Sequence, residues 1–409
     1  MSLNRVATFA CVAAIAATLA GCGTALTAPA ALQGTAPRAA LGAKAVSGQL
    51  IVKYKAAPGV SALSRVLADN QALGYQIVAV PPGQTLEQAA AALAADPAVE
   101  WVDQNWILAA PDPFATDRKP PRKAAGIGFT TNDPVGKKQW HAPKINAEKA
   151  WGASRGEGVV VAVVDTGIDE DHPDLKANLL PGYNTLENND RPHDDNGHGT
   201  HVAGIIASVA QNGVGTAGVA PGAKILPVRA LGDMGGSAQS VASAIQWAAD
   251  KGADVINLSL GSTQPSKAIE SAVKYALRKG AAVVAAMGNA GDQGNPRCWP
   301  ASYAGVIAVG ALEPSDEPTS WSNWGEWQAV SAPGYGIWST FPTYETSLYR
   351  IAKKNPGALP PENKIELGYS AISGTSQASP VVAGVAALLK SRDKRMTPAQ
   401  VRDRLMKTA

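Results

Sequence analysis

The chain has 409 residues, a formal net charge of +3 and 45% hydrophobic residues. That length exceeds the usual single folded unit and suggests two. The small charge, with no basic tract interleaved with aromatics, excludes nucleic acid as an implied partner. Of the three cysteines only Cys298 falls in the part expected to fold, which excludes an intramolecular disulfide there.

In chain order, a targeting segment comes first. Arg5 precedes an apolar, Ala-rich run over 6–20 that is too short for a stable membrane span. Leu19-Ala20-Gly21-Cys22 resembles the lipobox of bacterial lipoproteins, in which the Cys carries lipid. Residues 1–22 are then a lipoprotein-type signal peptide, and the precursor is anchored to a membrane through Cys22. An ordinary secretory signal cut after Ala25 or Ala30 is the alternative, and either implies export. Residues 23–45, rich in Ala, Thr, Pro and Gly, suit a flexible tether.

Alternating apolar residues predict strands over 49–55, 75–80 and 99–107, and helical spacing predicts helices over 60–73 and 84–95. Residues 46–108 therefore form a small α+β module, light in core and marginal alone. Residues 109–131 hold six prolines and glycines with a basic run, and suit an exposed linker open to proteolysis. From 132 to 409 the texture changes. Apolar strands at 159–164, 224–228, 255–258, 281–286 and 306–309 alternate with helices such as 237–251 and 267–279. That alternation implies an α/β fold, a buried parallel sheet with helices on both faces, whose ligands bind at the carboxyl ends of the strands. Asp165, Ser259 and Asn289 stand at such ends.

Three segments carry the chemistry: VVDTGID at 163–169, GHGTHVAG at 197–204 and SGTSQASP at 373–380. Asp165 ends an apolar run, where a buried carboxylate needs a donor that an imidazole N–H supplies. The glycines beside His198 let the backbone approach a partner closely. His193, His198 and His201 beside Asp194 and Asp195 also raise a metal reading, but no His-Glu-x-x-His pattern supports it. Ser376 opens an apolar helical run, so helix-start N–H groups face whatever binds there, although an N-cap serine alone would look the same. Cys298, with no His near it in sequence, reads as a packed small hydrophobe.

Together the motifs resemble the subtilisin-like serine proteases, the subtilases, and within them the thermitase-like branch, from about residue 132 to 409. The resemblance implies a secreted serine endopeptidase with Asp165 as orienter, His198 as general base, Ser376 as nucleophile and the Asn289 side-chain amide as oxyanion donor. Ser259-Leu260-Gly261 resembles the edge that pairs with an extended peptide, and 231–237 with Gly235 the opposite edge. Gly288 and Ala290 would line the first specificity pocket. Gln377 and Val381 depart from the Met and His more usual in the family, which implies altered packing and no loss of activity, neither being catalytic; 341–372 is longer than the family's link, which suggests a surface loop near the cleft.

The same resemblance implies structural calcium, with Asp133, Asp174, Asn212 and backbone oxygens of Val209, Val214 and Thr216 as a hard-oxygen shell. A second site around Glu187, Asp190 and Asp194 matches poorly, a solvated acidic loop being the alternative. Residues 46–108, ending in 99–105 (VEWVDQN), resemble the subtilase propeptide, an inhibitor-chaperone of ferredoxin-like shape. The expected partners are protein or peptide substrates and this propeptide, cut off within 109–131. A monomer is expected.

Overall fold

The computed structural model describes residues 44–55, 65–110, 131–357 and 359–409. The signal peptide, nearly all of the tether and most of the linker lie outside them.

The first sheet is antiparallel. It is built from β1 (Ala45–Tyr54), β2 (Val66–Asn70), β3 (Tyr75–Ala79) and β4 (Val99–Leu108), in the order β2-β3-β1-β4. One helix, α1 (Leu86–Ala94), joins β3 to β4 and starts at a capping box between Thr85 and Gln88. Leu50, Val52, Val78, Ala89, Leu93 and Val99 form the core between helix and sheet. The strand order is that of a ferredoxin-like sheet. The helix expected over 60–73 is corrected: 66–70 is edge strand β2, and 60–64 lie outside the described residues. Val66 and Leu67 are exposed on that edge, so their apolar character marked a strand and no buried helix face.

The second sheet has seven parallel strands. In chain order they are β5 (Val160–Asp165), β6 (Tyr183–Asn184), β7 (Lys224–Arg229), β9 (Val255–Leu258), β10 (Ala282–Ala286), β11 (Ile307–Leu312) and β12 (Val330–Pro333), arranged β12-β11-β10-β9-β5-β7-β6. The two-residue β8 (Gly236–Ser237) pairs with β4 of the first sheet. Along β5 the side chains alternate between two cores: Val161 and Val163 face one, Ala162 and Val164 the other. An uninterrupted apolar strand is what a sheet covered on both faces requires.

Short helices α2 (His141–Lys144) and α3 (Ala147–Trp151) precede β5. The first core is closed by α4 (His198–Ala207), α8 (Thr375–Arg392) and α9 (Pro398–Thr408), and the second by α5 (Ala238–Asp250) and α6 (Lys267–Arg278). From β5 the chain passes to β6 and β7 on one side and then to β9 on the other. That reversal opens a crevice at the strand ends beside Asp165.

Residues 341–372 are more than a surface loop. They follow β13 (Ile337–Thr340), include α7 (Ser347–Lys354) and end in β14 (Tyr369–Ile372), which pairs antiparallel with β13. Phe341, Leu348 and Ile372 form a small core of their own. The first two N–H groups of α7 donate to the carbonyls of Asp195 (2.9 Å) and Asn196 (3.3 Å), just before His198.

Candidate active site

Asp165 is the last residue of β5, His198 the first of α4, and Ser376 the second of α8; all three are buried. His198 Nδ1 lies 2.8 Å from Asp165 Oδ1. A carboxylate only accepts, so the imidazole donates from Nδ1 and its Nε2 is left as a bare acceptor. Nε2 is buried and has no hydrogen-bond partner. The Ser376 hydroxyl is turned away from it and donates to the Ser259 carbonyl at 3.2 Å.

Burial opposes a charge on His198 and is the largest single influence, but Asp165, by charge and hydrogen bond, and Asp194 hold its pKa above the usual 6.5. Asp194 is not part of a solvated loop. Its buried carboxylate accepts from the Thr166 and Thr200 hydroxyls and from the N–H groups of Asn196, Gly197 and Thr200. It thereby satisfies the start of α4, where backbone donors lack helical partners. His201 points elsewhere, its Nε2 3.1 Å from the carbonyls of Ile337 and Ser370. Among the described residues no three His, Cys, Asp or Glu side chains gather to hold a metal.

Asn289 follows β10. Its Oδ1 accepts from the Thr375 N–H (2.9 Å) and hydroxyl (2.8 Å), which fixes the amide so that Nδ2, buried and without a partner, faces the cleft. A Cβ built on Gly374 would lie 3.1 Å from Nδ2 and 3.6 Å from the Ser376 nitrogen. Two donors thus border one space that a glycine keeps open. Asn323 braces the floor behind them: its Oδ1 accepts from Ala290 N (2.7 Å), and its backbone N–H donates to the Gly288 carbonyl (2.9 Å). Sequence reasoning missed Asn323, which sits in a Trp-Ser-Asn-Trp stretch with no motif to mark it.

The end of β4 runs between the two expected substrate edges. Ile107 and Leu108 pair antiparallel with Ser237 and Gly236. Ala109 exchanges two hydrogen bonds with Gly261, at 3.1 and 2.9 Å. Leu108 is buried in the same core as Leu231 and Leu260. Gly235 has a φ of +92°, and a Cβ there would strike the Leu108 carbonyl, so the edge needs glycine at that position. Gly261 packs on Cys298, whose buried thiol is pushed up to about 12, as expected of an inert small hydrophobe.

Away from the cleft, the buried Asp133 carboxylate accepts from the N–H groups of Gln211, Asn212 and Gly213. Asp174, also buried, accepts from Asn212 Nδ2 and Thr216 N, both at 2.9 Å. Burial, with Asp133 adding its charge, pushes the Asp174 carboxyl up to about 6.

A parallel α/β sheet with a serine at a helix start, an Asp–His pair and an amide donor beside it defines a serine endopeptidase. Residues 156–409 match the subtilase family, and residues 33–105 match the fervidolysin N-terminal prodomain. The chain belongs to the subtilase family. It is 42% identical to thermitase of Thermoactinomyces vulgaris over 268 residues, 65% of this chain and 87% of that one. It is 38% identical to a thermophilic serine proteinase of Bacillus sp. (strain AK1) over 360 residues, 85% of this chain and 79% of the relative. The crystal structure of fervidolysin from Fervidobacterium pennivorans, described as a keratinolytic enzyme related to subtilisin, superimposes with a TM-score of 0.75 at 28% identity. That match covers 90% of this chain and 58% of fervidolysin, so the chain spans little more than half of that relative.

Proposed function

We propose that Ser376 is the nucleophile of this serine protease, His198 its general base and Asp165 the orienter of His198. Asn289 Nδ2 and the Ser376 N–H hold the oxyanion. Rotation of the Ser376 hydroxyl from the Ser259 carbonyl toward His198 Nε2 starts the reaction. Nε2 takes the proton as Oγ bonds to the peptide carbonyl carbon, and the imidazolium then gives it to the leaving amine; water reverses the sequence on the acyl-enzyme. One oxyanion donor, removed from subtilisin itself, costs about 10²–10³ in rate. The orientation of Asn289 carries this reading, because Thr375 occupies its oxygen and leaves its nitrogen for a developing negative charge.

Residues 46–108 act as an intramolecular inhibitor whose last strand, with the first linker residue Ala109, lies along Gly235–Ser237 and Ser259–Gly261 as a substrate would lie. The peptidase domain is then 132–409, and self-cleavage falls within 109–131, mostly outside the described residues. Residues 1–22 direct export and 23–45 tether, so a lipid on Cys22 would hold the prodomain at a membrane while the mature monomer is released outside the cell. Among the described residues no helix is long and apolar enough to cross a membrane. Asp133, Asp174 and Asn212, with the carbonyls of Val209, Val214 and Thr216, would hold structural Ca²⁺; two buried carboxylates with neutral partners suit a hard cation.

Labelling with a fluorophosphonate tests the core of the reading. The wild-type protein is expected to carry the label on Ser376, and Ser376→Ala to carry none and to accumulate as uncut precursor. Normal maturation of Ser376→Ala would overturn self-processing.

A further inference from the structure

Gln377 follows the nucleophile and is buried, yet its Nε2 has no hydrogen-bond partner. A side chain of the same length without polar atoms would fill that place at no desolvation cost, so packing does not explain an amide there. Its Oε1 lies 2.6 Å from the position a Cβ on Gly374 would take, the point that is 3.1 Å from Asn289 Nδ2 and 3.6 Å from Ser376 N. Three polar groups therefore border one small space. A half-turn of the Gln377 amide exchanges its oxygen for its nitrogen. Nε2 then faces the same space as Asn289 Nδ2, at the start of α8 where the helix dipole is positive. Once the amide has turned, two amide nitrogens that now lack acceptors would meet beside Ser376, a place suited to a negatively charged oxygen.

We infer that Gln377 is a third donor to the oxyanion, completing the site formed by Asn289 and the Ser376 N–H; this rests on the function proposed above. While no substrate is bound, the Gln377 oxygen faces the two other donors. As charge develops on the substrate oxygen, the amide turns and donates. The gain belongs to the tetrahedral species and not to the bound peptide, so it enters kcat and not KM.

The test compares full-length enzyme, matured normally, with Gln377→Met and Gln377→Glu, each normalised to active sites titrated with a fluorophosphonate. Titration restricts the comparison to folded molecules even if a variant folds poorly. Gln377→Met is expected to lower kcat about tenfold with KM within twofold, and to weaken a peptide aldehyde, which forms a tetrahedral adduct on Ser376, by the same factor. Gln377→Glu should lose more, because a carboxylate repels the oxyanion. An unchanged kcat and aldehyde affinity in Gln377→Met would overturn the inference, and so would a fall in kcat with no loss of aldehyde affinity. Failure of the underlying reading looks different: wild-type enzyme would then take no label at Ser376.

Discussion

Ser259 Oγ donates to the Ser376 carbonyl at 2.8 Å, in the place where an α-helix would have used the N–H of residue 380. That residue is Pro380, which has no N–H to give. Asn257 Nδ2 holds Ser259 Oγ at 2.9 Å, and Ser379 Oγ holds Asn257 Oδ1 at 2.7 Å, so the end of β9 is tied to the first turn of α8 through side chains. The nucleophile's backbone is thus fixed from the substrate edge. Ser259→Ala should leave a buried carbonyl unpaired, cost about 1–3 kcal/mol and lower kcat. Pro380→Ala restores a helical donor, so in a double-mutant cycle the second change should recover part of the loss. Strict additivity in the melting temperatures and kcat values of the four proteins would show that the two residues do not share this carbonyl.

The Asp165–His198 pair sets the pH dependence. Proton transfer from Ser376 needs neutral His198, whose pKa the two carboxylates raise above 6.5. Activity should therefore be low below that value and rise with pH, kcat/KM reaching half its plateau above pH 6.5. Asp165→Asn removes the largest upward influence, so its acid limb should move to lower pH while kcat drops about 10⁴-fold. An acid limb in the same place would mean that some other group titrates.

The Asp–His–Ser order and the β/α alternation were legible because each polar residue ends or opens an apolar run within a few positions. What stayed hidden depends on distant partners. Asp194 looked like one more acid in a loop until the start of α4 folded over it. The ring of Phe341 fills the space beside Gly197, across a gap in sequence that no periodicity spans. The strand at 66–70 was read as helix because Val and Leu suit either state, and the edge of a sheet buries neither.

Two residues on β4 reach across to helix starts of the peptidase. Asp103 Oδ2 accepts from Lys267 N at 2.7 Å, and Asn105 Oδ1 from Gln239 N at 3.1 Å. Each satisfies a donor that α6 or α5 cannot pair internally. Asp103→Ala and Asn105→Ala in prodomain supplied in trans should each weaken inhibition of the mature enzyme about tenfold, since a cap is worth about 1 kcal/mol or somewhat more. Inhibition constants equal to wild type in both variants would confine the prodomain's hold to 107–109.

Calcium should act on stability and not on the reacting groups, because Asp133 and Asp174 lie away from the cleft. In Ser376→Ala protein, which cannot digest itself, saturating Ca²⁺ should add about 3 kcal/mol at a hundredfold excess over its dissociation constant. That is a rise of several degrees in melting temperature. Asp174→Asn should abolish most of the response. A melting temperature indifferent to Ca²⁺ and to chelator would remove the cation from the description.

Acid should unfold the protein through two histidines that play no part in the chemistry. His141 and His201 are fully buried, and burial pushes each down to about 3, with the neighbouring His198 adding to the effect at His201. Neither nitrogen of His141 has a partner. Below pH 6.5 the unfolded chain protonates both rings while the native state keeps them neutral. Stability therefore falls with falling pH until the native rings also charge near pH 3. Each ring costs up to about 1.4 kcal/mol per pH unit over that window, or about 3 kcal/mol for the pair between pH 6.5 and 5. His141→Phe in the Ser376→Ala background should lower the slope of unfolding free energy against pH by about 1.4 kcal/mol per unit in denaturant titrations, while the upward-shifted His198 and Asp174 keep their opposite contributions. An unchanged slope would place the acid sensitivity elsewhere, because Phe fills the same volume and cannot take up a proton.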